Sequence, residues 1–156
     1  LQPLVDEQGW WRSGDLAMLG GDQVAPDLQV VGRRDGALQS GGVTVFPAQL
    51  EERLLVLADR AGLPLSALLI LGLPDPEWGE RLVALVRWST SAREPTRMDA
   101  LMALVSGWPA AERPRRWVPC PDLEPSPAGK WDRQRWQNWL TSQQSLQQQE
   151  KDDDVV

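Results

Sequence analysis

Two apolar runs constrain the fold of this chain more than any other feature of it. Ala67 to Leu73 is continuously apolar until Pro74-Asp75-Pro76 ends it, and Leu82 to Trp88 is a second stretch rich in Val and Leu. A strand with one wet face alternates apolar and polar residues, whereas a strand covered on its faces reads as a continuous run. Both runs therefore read as buried strands that helices must cover.

The neighbouring segments supply that cover. Pro47 suits the first turn of a helix, Leu50, Leu54, Leu57 and Ala58 recur on one face, and Gly62 stands where that helix should end. Met98, Leu101, Met102 and Val105 mark a second amphipathic helix closed by Gly107 and Pro109, followed by a short strand at Arg116-Trp117-Val118. A final helix is predicted from Asp132 to Leu140, with Trp136, Trp139 and Leu140 along one face as core packing rather than a stacking platform. Upstream, Leu16–Leu19 and Leu28–Val31 flank Gly20-Gly21-Asp22, and Ala37–Gln39 and Val43–Phe46 flank Ser40-Gly41-Gly42, which gives two hairpins. The order predicts an α+β fold, a small three-stranded sheet packed with helices and preceded by short β-hairpins.

Composition narrows the chemistry. At 156 residues the chain fits one domain, or a small domain with extensions. It has no His, which removes the usual general base and the Ser-His and Cys-His nucleophile pairs, and no metal site is expected. The single Cys120, set among prolines, reads as a packed residue rather than a reactive thiol. Half of the formal charge of −6 belongs to residues 150–154, and the weakly acidic remainder has no basic stripe, which argues against a nucleic-acid partner. Arg113, Arg115 and Arg116 read as a solvated turn before a strand. No apolar stretch is long enough to span a bilayer and no leader opens the chain, so a soluble, cytoplasmic protein is expected. The chain lacks an initiator Met and looks like a piece of something longer. Residues 141–156, rich in Gln and Ser and then acidic, have too little apolar surface to offset ordering entropy, and a disordered tail is expected there.

Three segments carry the functional signal: Trp11-Arg12-Ser13-Gly14-Asp15-Leu16, Gly32-Arg33-Arg34-Asp35-Gly36 running on to Ser40-Gly41-Gly42, and Pro125-Ser126-Pro127-Ala128-Gly129-Lys130. Each alone is ordinary turn chemistry. In this order and spacing, from about Gly9 to about Arg135, they resemble the C-terminal portion of adenylate-forming enzymes, the superfamily of acyl-CoA synthetases, luciferases and nonribosomal-peptide adenylation domains. Within it the run from Gly41 to Glu51 looks closest to the o-succinylbenzoate–CoA ligases of menaquinone and phylloquinone biosynthesis, with fatty-acyl-CoA ligases as the alternative.

The resemblance implies an AMP-forming acid–thiol ligase using a small-molecule acid, ATP with Mg²⁺, and CoA. It divides the chain into the end of the N-terminal region and hinge (1–35), a C-terminal lid domain (36–140) and the tail (141–156). Asp15 and Arg33 would hold the ATP or AMP ribose, since a carboxylate can accept from both hydroxyls of a cis-diol; an Asx-turn would explain Asp15 equally. Asp35 would be the hinge, and Ser40, Gly41 and Gly42 would line the CoA tunnel, where missing side-chain bulk lets a ligand or another backbone approach. Lys130 would be the catalytic cation, neutralising charge as a carboxylate attacks the α-phosphate. Thr44 stands where many relatives carry an arginine, and Trp131 to Arg135 depart from the usual continuation. The acid, adenine and phosphate pockets would lie in the N-terminal domain of the same enzyme, so this piece alone is expected to be inactive and to bind no cofactor tightly. The competing reading is a noncatalytic α+β interaction module.

Overall fold

The computed structural model describes residues 7–10, 13–21, 25–90 and 95–153, with side chains at all of these except 31, 35, 95 and 144–153. The two apolar runs form β5 (Leu65–Asp75) and β6 (Gly79–Trp88), an antiparallel pair in register from Leu65 opposite Trp88 to Asp75 opposite Gly79. Their period-two geometry sends alternate residues to opposite faces, and both faces are dry. Leu68, Ile70, Leu82, Ala84 and Val86 pack against Leu50, Leu54 and Ala58 of α1 (Pro47–Arg60) and Leu101 of α2 (Pro95–Leu104). Ala67, Leu69, Leu71, Val83 and Leu85 pack on the other side against Cys120, Leu123 and the Trp136 and Leu140 of α3 (Arg133–Asp153). Two half-cores thus share one pair of strands, which is why neither run alternates.

The third strand, β7 (Arg116–Pro119), lies parallel to β6 from Val83 opposite Arg116 to Val86 opposite Pro119. The expected α+β fold with a small three-stranded sheet is present, and the second hairpin extends it. β3 (Leu38–Ser40) and β4 (Val43–Val45) pair with each other, and β3 meets β6 at Ser40 opposite Gly79. The first hairpin, β1 (Asp15–Gly21) with β2 (Pro26–Arg33), is a separate two-stranded sheet. It reaches the rest of the domain at Gly32, where an added Cβ would lie 2.8 Å from the Phe46 ring. A single 3-10 turn at Arg34–Gly36 joins β2 to β3.

Pro47 opens α1, as its fixed φ and missing amide allow. Asp132 caps α3, its Oδ1 accepting from the Arg135 N–H at 3.0 Å. The helix runs past Leu140 to Asp153, into residues where a disordered tail is expected from sequence; residues 154–156 lie outside the described residues. Trp136 is buried and meets Trp139 edge to face at 5.9 Å.

Among the described residues β5 pairs only with β6, so its outer edge leaves main-chain groups to be satisfied. Side chains from two helices do so. Glu51 Oε1 accepts from the Ile70 N–H at 2.7 Å. Arg133 Nη1 donates to the Ile70 carbonyl at 2.7 Å and to Glu51 Oε1 at 2.8 Å, while Nη2 donates to Glu51 Oε2 at 2.9 Å. One turn on, Gln137 Nε2 donates to the Gly72 carbonyl at 2.9 Å. The Glu51 side chain is 7% exposed, so its carboxylate depends on these partners. Glu51→Ala strips both the Ile70 amide and the Arg133 guanidinium of a partner, and we expect it to lower the unfolding free energy by about 3 kcal/mol in urea titrations. A loss under about 1 kcal/mol, the range of exposed pairs, would contradict this account.

Candidate functional site

Asp15 begins β1 and Arg33 ends β2, and the register sets them directly opposite each other on an exposed sheet. Gly14 accepts the Arg34 N–H through its carbonyl at 2.8 Å, and the Asp15 N–H donates to Ser13 Oγ at 3.2 Å, so backbone bonds on both sides hold the pair in place. Their side chains occupy one end of the hairpin, with Gly14 carrying no Cβ to separate them; a Cβ there would lie 3.8 Å from Arg33 Nη2. Trp11 and Arg12 of the same motif lie outside the described residues. Asp35 sits inside the 3-10 turn, between the two sheets, with its side chain outside the description.

Ser40, Gly41 and Gly42 make the tight connection between β3 and β4. Ser40 is 2% exposed. Gly41 and Gly42 have φ of 57° and 78°, the left-handed pair that suits a two-residue hairpin turn. The expected approach at this loop is that of a ligand or another backbone; in the structure a side chain, Trp78, packs against Gly41. An added Cβ on Gly41 would lie 2.7 Å from the Trp78 ring, whose carbonyl accepts the Gly41 N–H at 2.9 Å. Gly42 has nothing within 4 Å of its added Cβ.

Trp78 carries no role in the sequence reading, and its position follows from the turn between β5 and β6. Asp75 Oδ1 accepts from the Glu77 and Trp78 amides at 3.0 and 2.9 Å, and its Oδ2 accepts from Arg81. Arg81 and Arg115 stand 5.4 and 5.5 Å from the Trp78 ring centre. Partial burial works to raise the Asp75 pKa, but the two amides and the Arg81 guanidinium outweigh it and hold the carboxyl below its ordinary 3.8. The readable signal was the Asp75-Pro76-Glu77-Trp78-Gly79 turn itself, an acid able to cap its own next amides.

Lys130 ends a closed turn. The Ser126 N–H donates to the Lys130 carbonyl at 2.8 Å, the Gly129 N–H to the Ser126 carbonyl at 2.8 Å, and the Lys130 N–H to Ser126 Oγ at 3.2 Å. The lysine is exposed, and its turn is closed by hydrogen bonds within Ser126–Lys130. The expected residues therefore form three groups: Asp15 with Arg33, the glycine loop with Trp78, and Lys130 ahead of α3. Cys120 is buried, and that burial pushes its thiol pKa up, away from reactive thiolate. Among the described residues no three His, Cys, Asp or Glu side chains are grouped to hold a metal, and no helix is long and apolar enough to cross a membrane.

No family model matches the chain. Its relatives and structural neighbours are nonetheless AMP-forming acyl-CoA ligases and enzymes of like fold. It is 30% identical to the uncharacterized acyl-CoA ligase YhfT of Bacillus subtilis (strain 168) over 114 residues, 72% of this chain and 22% of YhfT. The structure of Escherichia coli MenE, with a bound analogue of OSB-AMS, superposes with a TM-score of 0.60 at 26% identity, covering 91% of this chain and 28% of MenE. The amide bond synthetase McbA from Marinactinospora thermotolerans gives a TM-score of 0.63 at 25% identity, over 88% of this chain and 26% of that one. Feruloyl-CoA, long-chain-fatty-acid–CoA and 2-succinylbenzoate–CoA ligases are also among the relatives. The chain spans less than a quarter of the length of the curated relatives it matches.

Two outcomes test the geometry of the loop and its support. Both glycine-loop positions strain an Ala, but only Gly41 also drives it into Trp78, so Gly41→Ala should cost about 3 kcal/mol and Gly42→Ala about 1 kcal/mol in urea unfolding. Equal costs would show that Trp78 yields freely. Because the folded Asp75 pKa is lowered, its contribution is complete above the unfolded value near 3.8 and is lost as pH falls through the folded value. The thermal stability gap between the native chain and Asp75→Asn should thus be constant near neutrality and close in acid; a gap that persists at the lowest pH would reject the assignment.

Proposed function

We propose that this chain is the C-terminal portion of an ATP-dependent carboxylate–CoA ligase, the part that includes the lid. The observation that carries the reading is the pairing of Asp15 and Arg33 across the exposed end of one hairpin. A carboxylate there can accept from both hydroxyls of a ribose, and the planar guanidinium beside it can donate to a hydroxyl while pairing an acid. The relatives support the same class, and their 2-succinylbenzoate, feruloyl and fatty-acyl members make the acid a choice among aromatic and long-chain carboxylates. We favour o-succinylbenzoate, with fatty acids as the alternative.

Adenylation brings two anions together as the carboxylate attacks the α-phosphate of ATP. Pyrophosphate leaves as the acyl–phosphate bond forms, and CoA thiolate then displaces AMP to give the thioester. Lys130, exposed at the tip of a hydrogen-bonded turn, is suited to place one ammonium between the anions; its stem extends while its backbone stays fixed. Mg²⁺ would accompany the ATP phosphates, and no step here depends on residues of this chain binding it. The 3-10 turn around Asp35 is the one short covalent joint between the sheet bearing Asp15 and Arg33 and the body bearing Lys130. Rotation at that joint changes their separation, the property a hinge needs. The glycine loop would face the CoA arm in the second step, with the N-terminal domain of the same enzyme completing the site.

In the full-length enzyme, Lys130→Ala should reduce ATP–pyrophosphate exchange by about 100- to 1,000-fold. Thioester formation from supplied acyl-adenylate should stay near wild type, because the lysine serves the first step only. Equal loss in both half-reactions would count against the assignment, and an acid panel on the same enzyme decides between o-succinylbenzoate and fatty acids.

A further inference from the structure

We propose that Arg133 is a positioning residue for Lys130, fixing where the lysine's turn stands by gripping α1 and the edge of β5 together. The inference rests on the catalytic reading of Lys130 given above. Three observations carry it. The turn from Ser126 to Lys130 is closed on itself by the bonds from Ser126, Gly129 and Lys130, so it moves as a unit. Trp131 and Asp132 alone separate it from Arg133, and neither is slack: Trp131 packs against the α3 half-core and Asp132 caps the helix. Arg133 then makes three hydrogen bonds to two elements distant in sequence, the Glu51 carboxylate and the Ile70 carbonyl. The placement of Lys130 relative to the sheet is therefore set at Arg133.

The docking of α3 does not rest on this first-turn grip alone. Trp136 and Leu140 in the core and Gln137 on the Gly72 carbonyl hold α3 further along. Loss of the Arg133 grip should thus loosen the leading turn and its lysine while the helix stays docked. A lysine at this position keeps the charge but has no planar fork to span the carboxylate and the strand carbonyl in fixed geometry.

The test uses the full-length ligase carrying Arg133→Lys, with Glu51→Gln as a second variant that keeps the side-chain shape but removes the charge. Displacing a reacting group by about 1 Å can cost about 100-fold, so ATP–pyrophosphate exchange should fall by roughly 10- to 100-fold. Thioester formation from supplied acyl-adenylate and the KM for ATP should stay near wild type. In a Lys130→Ala background, Arg133→Lys should cost nothing further, since it acts through the lysine. A merely structural role predicts parallel loss of both half-reactions and an additive loss in the double variant, and either result overturns the proposal. So does wild-type exchange in both single variants while Lys130→Ala is inactive, which leaves the function proposed above standing. Normal exchange in Lys130→Ala itself overturns that function and this inference with it.

Discussion

The bond set joining Glu51, Arg133 and the main chain at Ile70 is the constraint on which the rest of the domain depends. A pair of long strands covered on both faces solves the burial of apolar side chains, but at the outer edge of β5 the main-chain groups of Ile70 and the Gly72 carbonyl are met by side chains instead of a neighbouring strand. A helix laid over that edge must bring polar groups with it, and those groups must themselves be paired. Glu51 supplies the acceptor from α1 and Arg133 the donors from α3, so each neutralises the other while both serve Ile70. An isolated carboxylate at 7% exposure would be strongly unfavourable. The reciprocal arrangement ties the two helical layers around the edge of the sheet rather than through it.

That logic also explains how much of the fold was legible in sequence. The strands and helices announce themselves because burial on two faces and burial on one stripe give different apolar periods, and Ala67–Leu73 and Leu50–Leu54–Ala58 are clear cases. What periodicity does not carry is pairing between residues far apart. Arg133 and Glu51 are 82 positions apart, and Ser40 meets Gly79 across two intervening strands and a helix. One clue was present: Glu51 stands on the apolar stripe of α1 between Leu50 and Leu54, where an acid needs a buried cation. The segment from Trp131 to Arg135 had been notable only for its departure from a familiar pattern, although it contains that cation.

The candidate site divides in the same way. Asp15 and Arg33 were expected beside each other from the resemblance, and the hairpin register provides a physical reason, since the two ends of a short antiparallel pair must face each other. The glycine loop is expected to admit a ligand or another backbone; its lack of side chains lets the Trp78 ring pack on Gly41, a contact that depends on the Asp75 turn and that no local reading of Gly41-Gly42 could supply. Trp78 and Gly79 are the residues of the β5–β6 turn that meet the loop and β3.

A lid of the kind proposed would have to be placed accurately in two orientations, which demands internal rigidity and external freedom, and these conflict unless they fall on different residues. Here the rigidity is concentrated in the doubly covered strands and in the Arg133 grip, while one short turn at Arg34–Gly36 links the hairpin sheet to the larger body. Lysine at position 130 fits this division. Its backbone is held by the Ser126 turn, and in the proposed role its long stem would supply the last reach toward a charge that exists only during reaction. On that proposal accuracy would reside in the protein frame, and adaptability in a side chain whose ordering cost is met only when the anions are present.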